Sequence, residues 1–420
     1  MAKWVNSSQI DGEINAPASK SAMIRAVAAA LLAQGASKII NPSFCSDGLT
    51  VLAIADTLGA EIERGKEGVT IKGNGGLKEK CIKGNTLDCA ESGLCIRMFT
   101  PISGLLEEEI TLNASCSLLK RPLKMVEALT ALGVTCLTDR GFAPVQVRGR
   151  IGSGRISING FESSQFLTGL LMTLPLCSGD SYITVTALKS KPYIELTIDI
   201  MRRFGVAVSH NNDLTEFHIK GDQHYKPCMC AIEGDWSGAA FFLVAGALAG
   251  SIKVKGLNPD SYQADKVVME ALIKAGAQVE MKNDYIFVAK DRLNAFEFDA
   301  GDCPDLFPPL VALGAGCADK SVIYGVERLK HKESNRGLAL VEEFSKIGIK
   351  IRVFEDRMEI AGGNRRGGTV DSHNDHRIAM ACAIAAFAGQ GDVIVERPAC
   401  VSKSFPSFFE DLDLVKVKHE

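Results

Sequence analysis

Apolar and polar positions along this chain recur in one phrase: an apolar helix end, a Gly, then a short strand. It reads TLGAEI at 57–62, ALGVTC at 131–136, RFGVAV at 203–208, KAGAQV at 274–279 and KIGIKI at 346–351. The glycines, Gly59, Gly133, Gly205, Gly276 and Gly348, are spaced by 74, 72, 71 and 72 residues. Each suits the position just past a helix end, where a positive φ is needed and Gly is least strained. A second short strand follows each phrase: VTIKG at 69–73, VQVRG at 145–149, FHIKG at 217–221, YIFVA at 285–289 and MEIAG at 358–362. These alternate with the period of a half-buried strand. A period held four times marks an internal repeat of helix, Gly, strand, turn and strand, with further strands between.

Five phrases are visible, and the 420 residues leave room for six. The sixth repeat is expected to join the C-terminal stretch to a strand near 7–16, which places both chain ends in one domain. The repeat pattern breaks at 232–236, where Glu233, Gly234 and Asp235 precede an apolar helix over 239–249. The other crossing is expected at 17–19. This predicts one lobe of residues 1–18 plus 233–420 and an inserted lobe of 19–232. Two crossings side by side form a hinge, and a cleft between hinged lobes is a common ligand site.

Composition narrows the function classes. Hydrophobic residues make up 46% and charged residues 23%, enough for buried cores and unlike a disordered chain. A net charge of −3 with two Trp and six Tyr argues against a nucleic-acid binder. The 13 Cys follow no framework spacing, and no signal-peptide pattern stands at the N-terminus, so reduced thiols and a cytoplasmic location are expected. Cys228 and Cys230 form a C-x-C without companion ligands, and no metal is expected. The stretch 239–249 is too short to span a bilayer, so no membrane role is expected.

Eight clusters carry candidate chemistry. PASKSAMIRA at 17–26 opens a helix that Ser19 or Ser21 can cap, with Lys20 in its first turn and Ser21 and Arg25 on one face. A cation at that end of the helix dipole is unfavourable unless an anion sits beside it. ESGLCIR at 91–97 offers Gly93 and Arg97, and KRP at 120–122 offers Arg121. Ser163, Ser164 and Gln165 stand before an apolar helix, where one is expected as the cap and three exceed what a cap requires. SKPYIEL at 190–196 offers Ser190, Lys191 and Tyr193. Asp305, in CPDLFPPL at 303–310, could cap a helix or act as a general base. RLKHKESNRG at 328–337 places Lys332, Glu333 and Arg336 at the spacing of one helical face. HNDHRIAM at 373–380 opens an Ala-rich helix to about Ala388, capped by Asn374 or Asp375, with His376 and Arg377 in its first turn. SKSFPSFF at 402–409 adds Lys403. Taken singly, the Lys20 cluster also reads as a capped helix with solvated charges, Asp305 as a cap, and the run at 328–337 as a salt-bridged surface helix.

In order, these clusters resemble the EPSP synthase (3-phosphoshikimate 1-carboxyvinyltransferase) family. SSQFLTGLLMTLPL, SKPYIEL, EGDWSGAAFFL, KESNR, NDHRIAM and KSFP carry the resemblance, which runs from Gly12 to Phe409. It implies an α/β (α+β) fold, a two-lobed inside-out barrel with three βαβαββ repeats per lobe and the active site in the interlobe cleft. It implies transfer of the enolpyruvyl group of phosphoenolpyruvate to the 5-hydroxyl of shikimate 3-phosphate, through a tetrahedral intermediate, by a monomer without cofactor. By this resemblance Lys20, Ser21, Arg25, Ser163, Ser164, Gln165, Ser190, Tyr193, Asp305 and Lys332 hold shikimate 3-phosphate. Lys20, Gly93, Arg121, Gln165, Arg336, Arg377 and Lys403 hold phosphoenolpyruvate. Asp305 is the base at the 5-hydroxyl and Glu333 the acid at the methylene carbon, with Lys20 also catalytic. Arg328 stands where the family often has an Asn, so the resemblance assigns it no role.

Two other readings remain open at this stage. UDP-N-acetylglucosamine enolpyruvyl transferases share the fold and cosubstrate, but carry a Cys or Asp in a mobile loop where this chain reads SCSLLKRP at 115–122. A non-catalytic anion-binding protein on the same scaffold is expected to lack Asp305, Glu333 or Lys20, and all three are present.

Overall fold

A computed structural model describes residues 1–417 except positions 162, 283 and 388. The chain divides into two compact units, Met1–Pro17 with Glu233–Glu420, and Ala18–Ile232.

The repeat has a definite topology. In the stretch 86–148, strand Thr86–Asp88 leads through helix Gly93–Ser103 to the parallel strand Ile110–Asn113. Helix Val126–Ala131 and the hairpin Thr135–Asp139/Phe142–Arg148 follow, and the hairpin's second strand pairs antiparallel with Ile110–Asn113. The same order of strands, first, second, fourth, third, builds the sheets at 155–219 and 297–361. All five phrase glycines follow helix ends with φ between 80° and 94°, as the sequence pattern requires.

The sixth repeat closes differently from the expectation. Strand Ile10–Asn15 pairs parallel with Gly250–Lys255 and opens the repeat that continues with helix Trp236–Ala249. Lys3–Val5 instead joins Gln390–Glu396 and completes a three-stranded sheet with Arg366–Asp371. The apolar pattern allows either strand. Ile10 and Ile14 are buried where 10–15 lies beside 250–255, and Val5 where 3–5 lies beside 390–396.

The helices between parallel strands are mostly apolar and almost wholly buried, with a few charged residues such as Arg25, Arg97 and Arg377 in their first two turns. In the unit of 233–420, helices Trp236–Ala249, Phe307–Ala315 and His376–Ala385 pack on one another. Each is buried along its whole length, so their N-terminal turns become fixed platforms. Position 388, the expected end of the last helix, lies outside the described residues. Among the described residues, no helix is long and apolar enough to cross a membrane.

Candidate active site

Asp305, in the 3-10 turn Pro304–Leu306, is the hub of an ion-pair network in the 233–420 unit. Cys303 takes the cap position of that turn and Leu306 that of the next helix, so Asp305 is not a cap. Its Oδ1 accepts from Arg336 Nη1 at 2.7 Å and lies 3.6 Å from Lys332 Nζ, while Oδ2 lies 3.1 Å from Arg377 Nη2.

The shared helical face expected for Lys332, Glu333 and Arg336 is not formed. The helix runs Arg336–Lys346, and Asn335 caps it by accepting from Leu338 N at 3.3 Å. Capping by Asn335 leaves Lys332 and Glu333 in the preceding turn. Glu333 still reaches Arg336, with Oε2 2.6 Å from Nη2, and its Oε1 lies 3.5 Å from Lys403 Nζ. Asp375 caps helix His376–Ala385 by accepting from Arg377 N at 3.0 Å. It also accepts from Arg336 Nε at 2.8 Å and Nη2 at 3.2 Å, and from Ser334 Oγ at 3.0 Å. Arg336 thus meets three carboxylates, which the spacing of the sequence could not reveal. Asp375 was legible as a cap but not as an arginine partner.

The charges shift accordingly. Burial pushes the Asp305 carboxyl up, but Arg377, Lys332 and Arg336 outweigh it and hold it well below the usual carboxylate range, with Glu333 opposing them. Burial pushes Lys332 down to about 8, with Asp305 opposing and Arg336 and Arg328 adding to the fall. For Arg336, burial is overcome by Asp375, Glu333 and Asp305, which hold the guanidinium above its ordinary range. Arg377 keeps two buried donors, Nε and Nη1, without a hydrogen-bond partner among the described residues. Buried donors of that kind favour an added acceptor such as a phosphate or carboxylate oxygen.

The 18–232 unit carries the remaining candidates around four helix starts. Ser19, not Ser21, caps Lys20–Leu32, accepting from Ala22 N at 3.3 Å. The anion that Lys20 needs at this helix end is supplied at least by Asp47, 3.3 Å away and itself buried. Arg25 is 2% exposed. It donates to Thr197 Oγ1 at 2.8 Å, the Ser21 carbonyl at 2.8 Å, the Tyr193 carbonyl at 3.3 Å and Thr168 Oγ1 at 3.4 Å. The Tyr193 ring lies 5.9 Å from its guanidinium carbon. Burial pushes Arg25 down to about 10, with Tyr193 opposing.

Gln165 starts the helix Gln165–Thr173, with Ser164 at its cap position and Ser163 Oγ accepting from Gln165 N at 3.2 Å. Gln165 Oε1 accepts from Arg97 Nη1 at 3.1 Å. Gly93 opens helix Gly93–Ser103, and a Cβ there would lie 2.9 Å from Arg97 Nη1 and 3.0 Å from both Arg121 Nη atoms. A side chain there would push the two guanidinium groups aside, so Gly leaves them room at this helix start. Ser190 is buried in the left-handed region, φ 57°, at the cap of helix Lys191–Arg203. Asp47, Thr168 and Thr197 were absent from the sequence-based candidates, because a lone acid or threonine carries no signal until a cation lies beside it.

Among the described residues one group has metal-ligand geometry, Glu342, Glu343 and His373. Both Glu343 oxygens already accept from Lys346 Nζ at 2.8 Å, and Oε2 also accepts from Asp371 N at 2.7 Å. An ammonium therefore fills the cationic position there.

Comparison with known proteins gives this geometry a family. The EPSP synthase (3-phosphoshikimate 1-carboxyvinyltransferase) family model matches residues 5–412. A 3-phosphoshikimate 1-carboxyvinyltransferase of Clostridium novyi is 40% identical, covering 97% of this chain and 96% of the relative. One from Methanococcus maripaludis is 37% identical, with 96% of each chain covered. Among solved structures, an EPSP synthase from Acinetobacter baumannii superposes with a TM-score of 0.82 at 23% identity, covering 99% of this chain and 98% of that one. The enolpyruvyl transferase NikO from Streptomyces tendae superposes with a TM-score of 0.75 at 18% identity, covering 98% and 96%. The two-lobed enolpyruvyl transferase fold is thus the fold of this chain, and the chain belongs to the EPSP synthase family, the 3-phosphoshikimate 1-carboxyvinyltransferases.

Proposed function

We propose that the chain transfers the enolpyruvyl group of phosphoenolpyruvate to the 5-hydroxyl of shikimate 3-phosphate, with the acid and the base drawn from the Arg336 network. One observation carries this assignment: Asp305 and Glu333 both bond one buried arginine, yet each also faces its own lysine. Two carboxylates held by a shared cation but differently surrounded can take opposite proton roles.

In the forward step Asp305 accepts the proton of the 5-hydroxyl as its oxygen bonds to C2 of phosphoenolpyruvate. Glu333, in its protonated form, delivers a proton to C3, which becomes a methyl group. The product is a tetrahedral ketal phosphate. Glu333 then takes a proton back from that methyl group as the C2–O bond to phosphate breaks. The new C2=C3 bond gives the enolpyruvyl ether and inorganic phosphate, and the hydroxyl proton leaves Asp305 with the phosphate.

Binding follows charge. Phosphoenolpyruvate has two anionic groups, and Lys20, Arg121, Arg336, Arg377 and Lys403 supply cations, with Gln165 and the Gly93 backbone beside them. Shikimate 3-phosphate takes Lys20, Arg25 and Lys332 for its anionic groups. Ser21, Ser163, Ser164, Gln165, Ser190 and Tyr193 take its phosphate and hydroxyls, and Asp305 the 5-hydroxyl. Substrate anions compete with Asp305 for its cations, so binding makes the carboxylate more basic and primes it for proton removal. The chain works in the cytoplasm as a monomer, with no nucleic-acid or membrane partner. Phosphate release from phosphoenolpyruvate, assayed with each acceptor, tests the reading. Release is expected with shikimate 3-phosphate and not with UDP-N-acetylglucosamine, and the reverse result sinks it.

A further inference from the structure

Beside the Arg336 network lies a buried arginine to which the reaction above gives no part. Arg328 ends up 8% exposed in the 3-10 turn Val326–Leu329. Its Nη1 donates to the carbonyl of Gly301 at 2.9 Å. Gly301 belongs to the loop that leaves strand Glu297–Asp299 and ends at Asp305.

That loop is a compact body. Gly301 N bonds the Asp299 carboxylate at 2.8 Å, Cys303 N bonds the Ala300 carbonyl at 3.1 Å, and Leu306 N bonds the Cys303 carbonyl at 2.9 Å. A displacement at Gly301 is therefore passed on to Asp305. The loop is also pressed against the turn that carries Arg328. Gly325, at φ 92°, packs so closely that a Cβ there would lie 2.7 Å from Gly301 N and 2.8 Å from its Cα. Ala300 N bonds the Tyr324 carbonyl at 3.0 Å on the same side. Backbone contact brings the two segments together, and the guanidinium bridges them.

The charge of Arg328 faces the same site. Burial pushes its guanidinium down, while Asp302, Glu327 and Asp305 pull it back. It is also one of the two cations that depress Lys332.

We propose that Arg328 is a positioning residue for Asp305: it clamps the Gly301 carbonyl and so holds the 300–305 loop, with its carboxylate, against the 325–328 turn. The proposal rests on Asp305 being the base. A base misplaced by about an ångström loses on the order of a hundredfold in rate without losing its substrate.

The test uses the full chain with Arg328→Met, Arg328→Lys and Asp305→Asn. Arg328→Met is expected to lower kcat by about tenfold to a hundredfold, with both KM values within about threefold. Amide hydrogen exchange at Cys303 and Leu306 should quicken in the same variant, because their loop is released. Arg328→Lys keeps a charged donor and should recover most of kcat and of the protection. If Arg328→Met does not fold, Arg328→Gln is read in its place. Unchanged exchange in the loop overturns the clamp whatever the kinetics. So does a KM for shikimate 3-phosphate that rises tenfold while kcat is kept, which would make Arg328 a substrate contact. Asp305→Asn with wild-type kcat would instead remove the base assignment, and the exchange result would still decide the clamp by itself.

Discussion

Arg336 in the 233–420 unit bonds three carboxylates, whereas Arg25 in the 18–232 unit bonds two threonine hydroxyls and two backbone carbonyls. Both guanidinium groups are almost wholly buried. Carboxylate partners hold Arg336 above its ordinary range, while burial lowers Arg25, which has no carboxylate partner among the described residues. Neutral partners orient a cation without cancelling its charge, so Arg25 is left to seek an anionic ligand. Carboxylate partners cancel the charge and add groups that carry protons. On the proposed reading the Arg25 region serves binding, and the Arg336 region adds proton-carrying groups to its binding cations, with the difference set by what surrounds the arginine rather than by the arginine itself.

The sharpest break of this contrast is Glu333→Gln. It removes the proposed proton donor from the carboxylate-rich region, and kcat should fall by about a thousandfold with both KM values little changed. Steady-state kinetics with each substrate varied checks this, and unchanged turnover would contradict the acid role.

Asp375→Asn comes next. It weakens the grip on Arg336 Nε and Nη2, and kcat/KM for phosphoenolpyruvate should fall by about a hundredfold, with a lower melting temperature from the damaged buried pair. A fall confined to kcat/KM for shikimate 3-phosphate would mean that Arg336 serves that substrate instead.

Arg25→Gln probes the binding region. The KM for shikimate 3-phosphate should rise about tenfold to a hundredfold while kcat stays within about threefold. A loss confined to kcat would erase the distinction between the two regions.

The smallest effect is in pH. Lys332 is held near 8, below the usual lysine range, so in the free enzyme it loses its positive charge as pH rises through that value. The value of kcat/KM for shikimate 3-phosphate should be level below pH 8 and decline above it, by at most about tenfold per pH unit. Lys332→Arg should remove the decline, because arginine stays charged throughout that range. A decline that persists in Lys332→Arg would assign the titration to another group.

Much of the site was legible as residues but not as bonds. The cap at Asp375 and the Glu333–Arg336 pair follow local rules that act within a few residues, and local rules survive in a sequence. The helix expected through Lys332 starts later because Asn335 takes the cap, while the Ser334 hydroxyl donates to Asp375 instead. The pairs Lys20–Asp47 and Arg97–Gln165 span 27 and 68 positions and have no local signature. The clamp of Arg328 on Gly301 needs a glycine contact 24 residues away from Gly325 that no spacing announces.

The amino-acid sequence by itself determined the repeat. Helix ends, positive-φ glycines and two-residue strand periods are set by each residue's own backbone preferences, and these act at short range. The tertiary structure alone decided which strand closes the last repeat and which carboxylate neutralises which cation. Those choices depend on burial, because only when charges from distant segments leave water together do their attraction and their desolvation become large enough to select one partner over another.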